Sequence, residues 1–165
     1  MSDARSLIAL IPRLRRYARA LVGDRAAADD LVQDTLERAW SKLHLFRQGT
    51  DLRAWLFTVM HNVHVNRVRS ARPTDALDDE MPELAQRATQ GDALLVRDLE
   101  RGIAALPAPQ REVLLLVALE DLSYEQAAEV LGIPIGTVMS RLARAREKLR
   151  ILMYGKGGTK LQVVK

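Results

Sequence analysis

Guanidinium groups at Arg141, Arg144, Arg146 and Arg150, with the ammonium of Lys148, crowd one stretch near the C-terminal end of the chain. Cations at this density suit phosphate contacts, and arginine can also grip the edge of a guanine with two hydrogen bonds. A second polar set lies at Asn62 and Asn66, four residues apart and therefore neighbours on one helix face. Asparagine is a mediocre helix residue, so two on one face invite a reason. Their amides can read base edges or hold the sugar-phosphate backbone; the plain alternative is helix-surface polarity. Asp30, Gln33, Asp34 and Glu37 form an acidic stripe, which is either ordinary solvated surface or a docking face for a basic partner helix. His61 and His64, on adjacent turns, supply half a metal site with no third and fourth ligand nearby, so no metal or other cofactor is expected. With no cysteine, disulfides, thiolate metal centres and cysteine nucleophiles are excluded. The histidines and scattered carboxylates show no nucleophile–base or two-metal spacing, so the chain does not read as an enzyme.

The basic stretch needs a scaffold, and the residues before it supply one. Ser123 with Gln126 three positions on is a capping-box pattern that starts a helix at Ser123. Ala127, Val130 and Leu131 follow at helical spacing, and Gly132 can turn left-handed at the helix end without a Cβ clash. Pro134 marks the start of a second helix, where its missing N–H costs nothing. Small Ala128, Gly132 and apolar Val138 let two helices cross closely, with Val138, Leu142 and Leu149 facing inward. The whole reads as a helix-turn-helix, whose second helix puts its N-terminal residues on base edges.

Upstream, residues 3–22 read as one helix with an apolar stripe that includes Leu7, Ile8, Leu14 and Leu21. Asp24 is placed to cap a helix over about 25–44 that turns Leu31, Val32, Thr35, Leu36, Ala39, Trp40 and Leu43 to a core. After a polar loop at 47–51, residues 52–69 form a strongly apolar helix. The pattern lapses between Ser70 and Gly91, where prolines and an acidic run predict a linker with a short turn at 83–89. Helices resume over 92–106 and 110–120, the latter through the buried run VLLLVALE.

With 48% apolar but only 4% aromatic residues, few Gly and Pro and no alternating strand pattern, the 165-residue chain is expected to be all-α. The net charge of +4 is unevenly spread: residues 1–70 carry twelve cations against seven anions, 71–100 three against eight, and 101–165 ten against six. Two basic blocks flanking an acidic one predict two small helical domains, 1–70 and 93–154, joined by a flexible acidic linker at 71–92, with a disordered tail at 155–165. No signal peptide and no apolar run long enough to span a bilayer is evident, so a cytoplasmic protein without membrane insertion is expected.

The stretch LPAPQREVLLLVALEDLSYEQAAEVLGIPIGTVMSRLARAREKLR resembles the C-terminal DNA-binding domain of bacterial RNA polymerase sigma factors. DDLVQDTLERAW with LRAWLFTVMHNVHVNRVR resembles the N-terminal promoter-melting domain of their extracytoplasmic-function (ECF) group. The resemblance implies a subunit that binds core RNA polymerase, through the β′ clamp helices and the β subunit, and recognises promoter DNA. Asp30, Gln33, Asp34 and Glu37 match the helix that docks on the β′ clamp helices. Gln48, Gly49 and Thr50, with Asn62 and Asn66, match the reader of the minus-ten element, where a base is extruded from the stack. Thr137, Met139, Ser140, Arg141, Ala143 and Arg144 match the surface entering the major groove of the minus-thirty-five element. Many relatives carry Lys or Arg where this chain has Met139, whose thioether donates no hydrogen bond. An anti-sigma partner covering both lobes is also implied. The alternatives are a sigma-like decoy that sequesters an anti-sigma factor, a dimeric helix-turn-helix regulator with an effector-sensing lobe, and a nucleic-acid enzyme.

Overall fold

The computed structural model describes residues 2–75 and 92–155, with side chains over 4–71 and 95–155. Residues 76–91 of the expected linker, its short turn and the C-terminal tail beyond Gly155 lie outside the described residues, while 71–75 and 92 belong to helices. Among the described residues the fold is all-α.

Helix α1 (Ser2–Ala9) and helix α2 (Ile11–Val22) replace the single helix expected over 3–22. Pro12 lies in the first turn of α2, so the chain restarts at Leu10, whose carbonyl accepts from Arg13 and Leu14 N–H at 3.0 Å each. A proline ring cannot run through a helix interior but fits its first turn. The break leaves Ile8 exposed, contrary to the expected stripe. Helix α3 (Arg25–Ser41) starts where Asp24 accepts the Ala27 N–H at 2.9 Å, as its sequence position predicts. It ends three residues earlier than expected, in a 3₁₀ turn at Leu43–Leu45. Trp40, expected in the core, is 60% exposed instead. Helix α4 (Leu52–Asp75) runs beyond the expected boundary at Arg69. Only two residues of the helix follow Pro73, so little of it depends on the bond that proline forfeits. Leu14, Tyr17, Leu31, Leu56, Phe57 and Met60 fill the N-terminal lobe, with the Tyr17 and Phe57 rings edge-on at 4.9 Å.

Helix α5 (Asp92–Ala104) and helix α6 (Ala108–Leu114) begin the C-terminal lobe, and Pro109 fits the first turn of α6. Leu95 and Leu99 are exposed on α5. Gly102 lets α5 approach the last helix, since a Cβ there would lie 2.9 Å from the Leu149 side chain. The buried leucine run continues from α6 into a π turn at Leu115–Leu119, closed by the Glu120 N–H on the Leu115 carbonyl at 3.0 Å. Helix α7 (Tyr124–Leu131) and helix α8 (Ile135–Tyr154) complete the lobe, with Val138, Leu142 and Ala145 buried between them and α6.

The lobes pack on one another through α4 against α7 and α2 against α5 and the π turn, and their buried side chains form one continuous cluster. Arg111 stitches the seam. Its guanidinium donates to the carbonyls of Ile103, Ala104 and Leu106 in its own lobe and to that of Leu21 in the other, at 2.9 Å. Burial lowers its pKa, opposed by the nearby Glu112 carboxylate.

Candidate nucleic-acid interface

The helix-turn-helix is built by local chemistry. The Ser123 hydroxyl accepts the Gln126 N–H at 3.0 Å, and the Gln126 side-chain oxygen accepts the Ser123 N–H at 3.0 Å. At the other end of α7, Gly132 takes a left-handed φ of 67° while the Ile133 N–H closes on the Ala128 carbonyl at 3.1 Å. This pattern satisfies the last carbonyls of α7 and turns the chain within three residues. Pro134 then stands immediately before α8, its carbonyl accepting from Thr137 at 2.9 Å.

With Val138, Leu142 and Ala145 buried, the opposite face of α8 is presented outward. Ser140, Ala143 and Arg144 are exposed, Met139 is 47% exposed, and Thr137 and Arg141 are half-buried beside them. All six expected contact residues therefore share one end of one helix. Arg141 and Arg144 carry no acidic partner among the described residues, whereas Arg150 is tied to Glu147 at 2.7 Å. That pairing lowers the Glu147 pKa and raises that of Arg150, whereas Arg141 and Arg144, in the N-terminal half of α8, stand without such a counter-charge among the described residues.

The second expected surface is longer and looser. Gly49, at a φ of 92°, turns the loop before α4, and the Thr50 hydroxyl fixes it by donating to the Arg47 carbonyl at 2.7 Å. Asp51 then caps α4 by accepting the Arg53 N–H at 3.0 Å, and Phe46 packs against Trp55 beneath, with ring centroids 5.5 Å apart. Gln48, Gly49 and Thr50 are all exposed. Asn62 and Asn66 are exposed on α4, one turn from each other but beginning about 15 Å along the axis from the helix start. The structure thus strings the two groups along one helix without bringing them into contact.

On α3, Asp30, Gln33, Asp34 and Glu37 are exposed in one stripe, and Asp34 is paired with Arg67 of α4. Trp40 prolongs the stripe at helical spacing. Reasoning from sequence assigned it to the core; the exposed positions at 30, 33, 34 and 37, continued by three, are the signal that places it outside. His61 is not a ligand here: its Nδ1 meets Glu112 of α6 at 2.9 Å across the lobes. His64, one turn on, lines the same seam beside Glu112; burial pushes its pKa down, with Glu112 pulling the other way. Among the described residues no three metal-capable side chains cluster.

Between α2, α5 and the π turn lies a groove of about 1040 Å³. Its walls include Arg15, Arg19, Arg97 and Arg101, and its apolar surface includes Leu99 and Leu115. Among the described residues no helix is long and apolar enough to cross a membrane.

Fold and charge layout define a two-lobed helix-turn-helix protein with one exposed acidic stripe and two candidate nucleic-acid surfaces. Residues 7–61 match the family described as the Sigma2 domain of PhyR, and residues 97–149 match sigma-70 region 4. The chain is 39% identical over 153 residues to the ECF RNA polymerase sigma factor EcfG of Rhodopseudomonas palustris strain TIE-1, covering 92% of this chain and 84% of that one. It is also 39% identical over 140 residues to the ECF sigma factor SigC of Mycobacterium tuberculosis strain CDC 1551, covering 79% and 72%. Among solved structures it resembles the sigma factor RpoE from Bartonella quintana, crystallised with the anti-sigma factor NepR. That match has a TM-score of 0.74 at 36% identity, over 91% of this chain and 95% of that one. CnrH, solved with the cytosolic domain of CnrY, gives 0.65 at 29% identity over 91% and 88%. The chain belongs to the ECF group of RNA polymerase sigma factors.

Proposed function

We propose that this chain is a promoter-specificity subunit, which binds core RNA polymerase in the cytoplasm and directs initiation at two-element promoters. The observation that carries the reading is the first three turns of α8, where Thr137, Ser140, Arg141 and Arg144 form an outward cationic face, without acidic partners among the described residues, on a helix-turn-helix. In this reading that face, with Met139 and Ala143, enters the major groove of the minus-thirty-five element. Gln48, Gly49, Thr50, Asn62 and Asn66 meet the minus-ten element. Asp30, Gln33, Asp34 and Glu37 dock on the β′ clamp helices, with Trp40 as an apolar anchor at the end of the stripe. The domain boundaries follow the lobes, with α4 extending the N-terminal one to Asp75. Side chains break no bond here; binding energy favours the melted promoter over the duplex. An anti-sigma protein is the natural regulator, in line with the anti-sigma factor NepR that is co-crystallised with one relative. The arginine-edged interlobe groove, with Leu95, Val96 and Leu99 exposed on α5, suits an acidic amphipathic segment of such a partner.

Transcription by purified core polymerase, with and without this chain, on a library of promoter fragments tests the reading. Initiation that depends on the chain and converges on a shared two-element sequence supports it; initiation that ignores the chain overturns it. The match of residues 7–61 to the PhyR domain favours a second reading, a decoy that occupies an anti-sigma factor. The decoy predicts tight anti-sigma binding without any initiation in the same assay.

A further inference from the structure

Several cations of the chain are tied up within it. The Glu120 carboxylate, fully buried, lies 3.2 Å from the Arg16 guanidinium and 3.7 Å from that of Arg13, and Arg67 pairs with Asp34. On the N-terminal half of α8 the charged side chains instead share the surface with bare hydrocarbon. Ile135 is 37% exposed and Met139 47%, four residues apart and so neighbours on one flank of the helix. Exposed Ala143 continues the same line one turn on. With Val138, Leu142 and Ala145 turned to the core, a rotation of about 100° per residue puts Thr137, Arg141 and Arg144 on the opposite flank. The outward face of α8 is therefore two-sided, cationic and hydroxyl-bearing along one edge and apolar along the other.

Among the described residues, neither Ile135 nor Met139 belongs to the core or to the side chains packed against it. Gly136, next to Ile135 on the outward side, has open space where a Cβ would stand and no positive φ. Neither packing nor backbone conformation calls for a glycine there, and glycine is a poor helix former. What its missing side chain does allow is close approach of the helix to a ligand. For a helix seated in the major groove, base edges present donors and acceptors and one apolar group, the 5-methyl of thymine. The unbranched, polarizable thioether of Met139 conforms readily to such a group. Ile135 and Met139 stand about 6 Å apart along the axis, close enough to cover methyl groups on neighbouring base pairs.

We infer that Met139, supported by Ile135, reads thymine in the upstream element. The apolar flank of α8 presses on one or two thymine methyl groups while Arg141 and Arg144 hold the DNA along the other edge. Met139 is then a specificity-determining residue that selects an A·T pair over a G·C pair. The inference deepens the sigma-factor reading and rests on it.

Thymine and uracil pair alike and differ only by that methyl group, so replacing one by the other is the direct probe. Holoenzyme assembled from core polymerase and the full chain selects duplexes from a pool randomised over the upstream element. The recovered sequence is then remade with deoxyuridine in place of one thymidine at a time, on either strand. Affinity should fall about fourfold at one or two thymines, the effect of losing one buried methyl group, and hold at the rest. In Met139→Ala the same replacements should change affinity by less than about twofold, because the methyl group and the thioether act as a pair. Selection with Met139→Arg should bring a guanine to that position, since arginine grips its edge with two hydrogen bonds. Both substitutions are at an exposed side chain, and affinity for core polymerase should stay unchanged. Uracil tolerated at every position overturns the inference, as does a uracil penalty that persists in Met139→Ala or a thymine preference kept by Met139→Arg. Loss of polymerase affinity in Met139→Ala with DNA binding intact would make the flank a protein contact and overturn it too. A pool that yields no upstream element at all overturns the sigma-factor reading instead.

Discussion

At the scale of single residues, exposure separates side chains that hold the fold from those free to meet a partner. Arg144 is exposed and unpaired among the described residues, so its removal takes nothing from the core. Arg144→Ala should cost about 1–3 kcal/mol of promoter affinity, read by anisotropy on a duplex carrying the upstream element. Affinity for core polymerase should stay unchanged, and equal loss of both would contradict its assignment. Trp40 makes the complementary case. At 60% exposure the ring is a surface anchor, and interface tryptophans are common hot spots. Trp40→Ala should weaken polymerase binding by about 2 kcal/mol while leaving the thermal midpoint within a degree or two. A large fall in the midpoint would return Trp40 to the core.

At the scale of elements, the seam between α4 and α6 gives a dependence on pH with a definite sign. Burial lowers the His64 pKa from its ordinary 6.5, against the pull of Glu112. The unfolded chain then binds the proton more readily, so this contribution is whole above about pH 6.5 and is lost as the pH falls below it. Denaturant unfolding between about pH 7 and pH 5 should show declining stability, and His64→Gln should flatten that slope. A slope indifferent to the substitution would mean that another group sets it. The elements differ in how far sequence foretells them. Ser123, Gln126, Gly132 and Pro134 are local signals, and α7, its turn and the start of α8 follow from them almost residue for residue; Asp24 does the same for α3. Pro12 is local too, but reading 3–22 by apolar period alone passes over it. The acidic stripe and the basic face of α8 are legible as types, while Trp40 is not, because a helix with apolar residues on several sides does not declare which one the neighbouring helices leave uncovered. The π turn has no residue signature, and the partners of Arg111, Glu112 and Glu120 across the seam lie 51 to 104 positions away. Pairings at that separation are set by how whole helices pack.

At the scale of the molecule, two lobes that each have a known counterpart share one core and several polar ties. Heat should therefore unfold them in a single transition, with calorimetric and van't Hoff enthalpies in agreement. Arg16→Ala, which strips Glu120 of its nearer partner, should lower that midpoint or split the transition; two separated transitions in the unaltered chain would show the lobes to be independent. The π turn gives this architecture a further property. One residue beyond the α-helical repeat rotates all that follows by about 100°, and Glu120 is the first residue after it. Whether that carboxylate faces the other lobe or the solvent is thus decided by the length of the turn as much as by the identity of its residues. A single residue lost or gained there would redirect Glu120 as surely as a substitution of Glu120 itself, and would turn α7 and α8 with it.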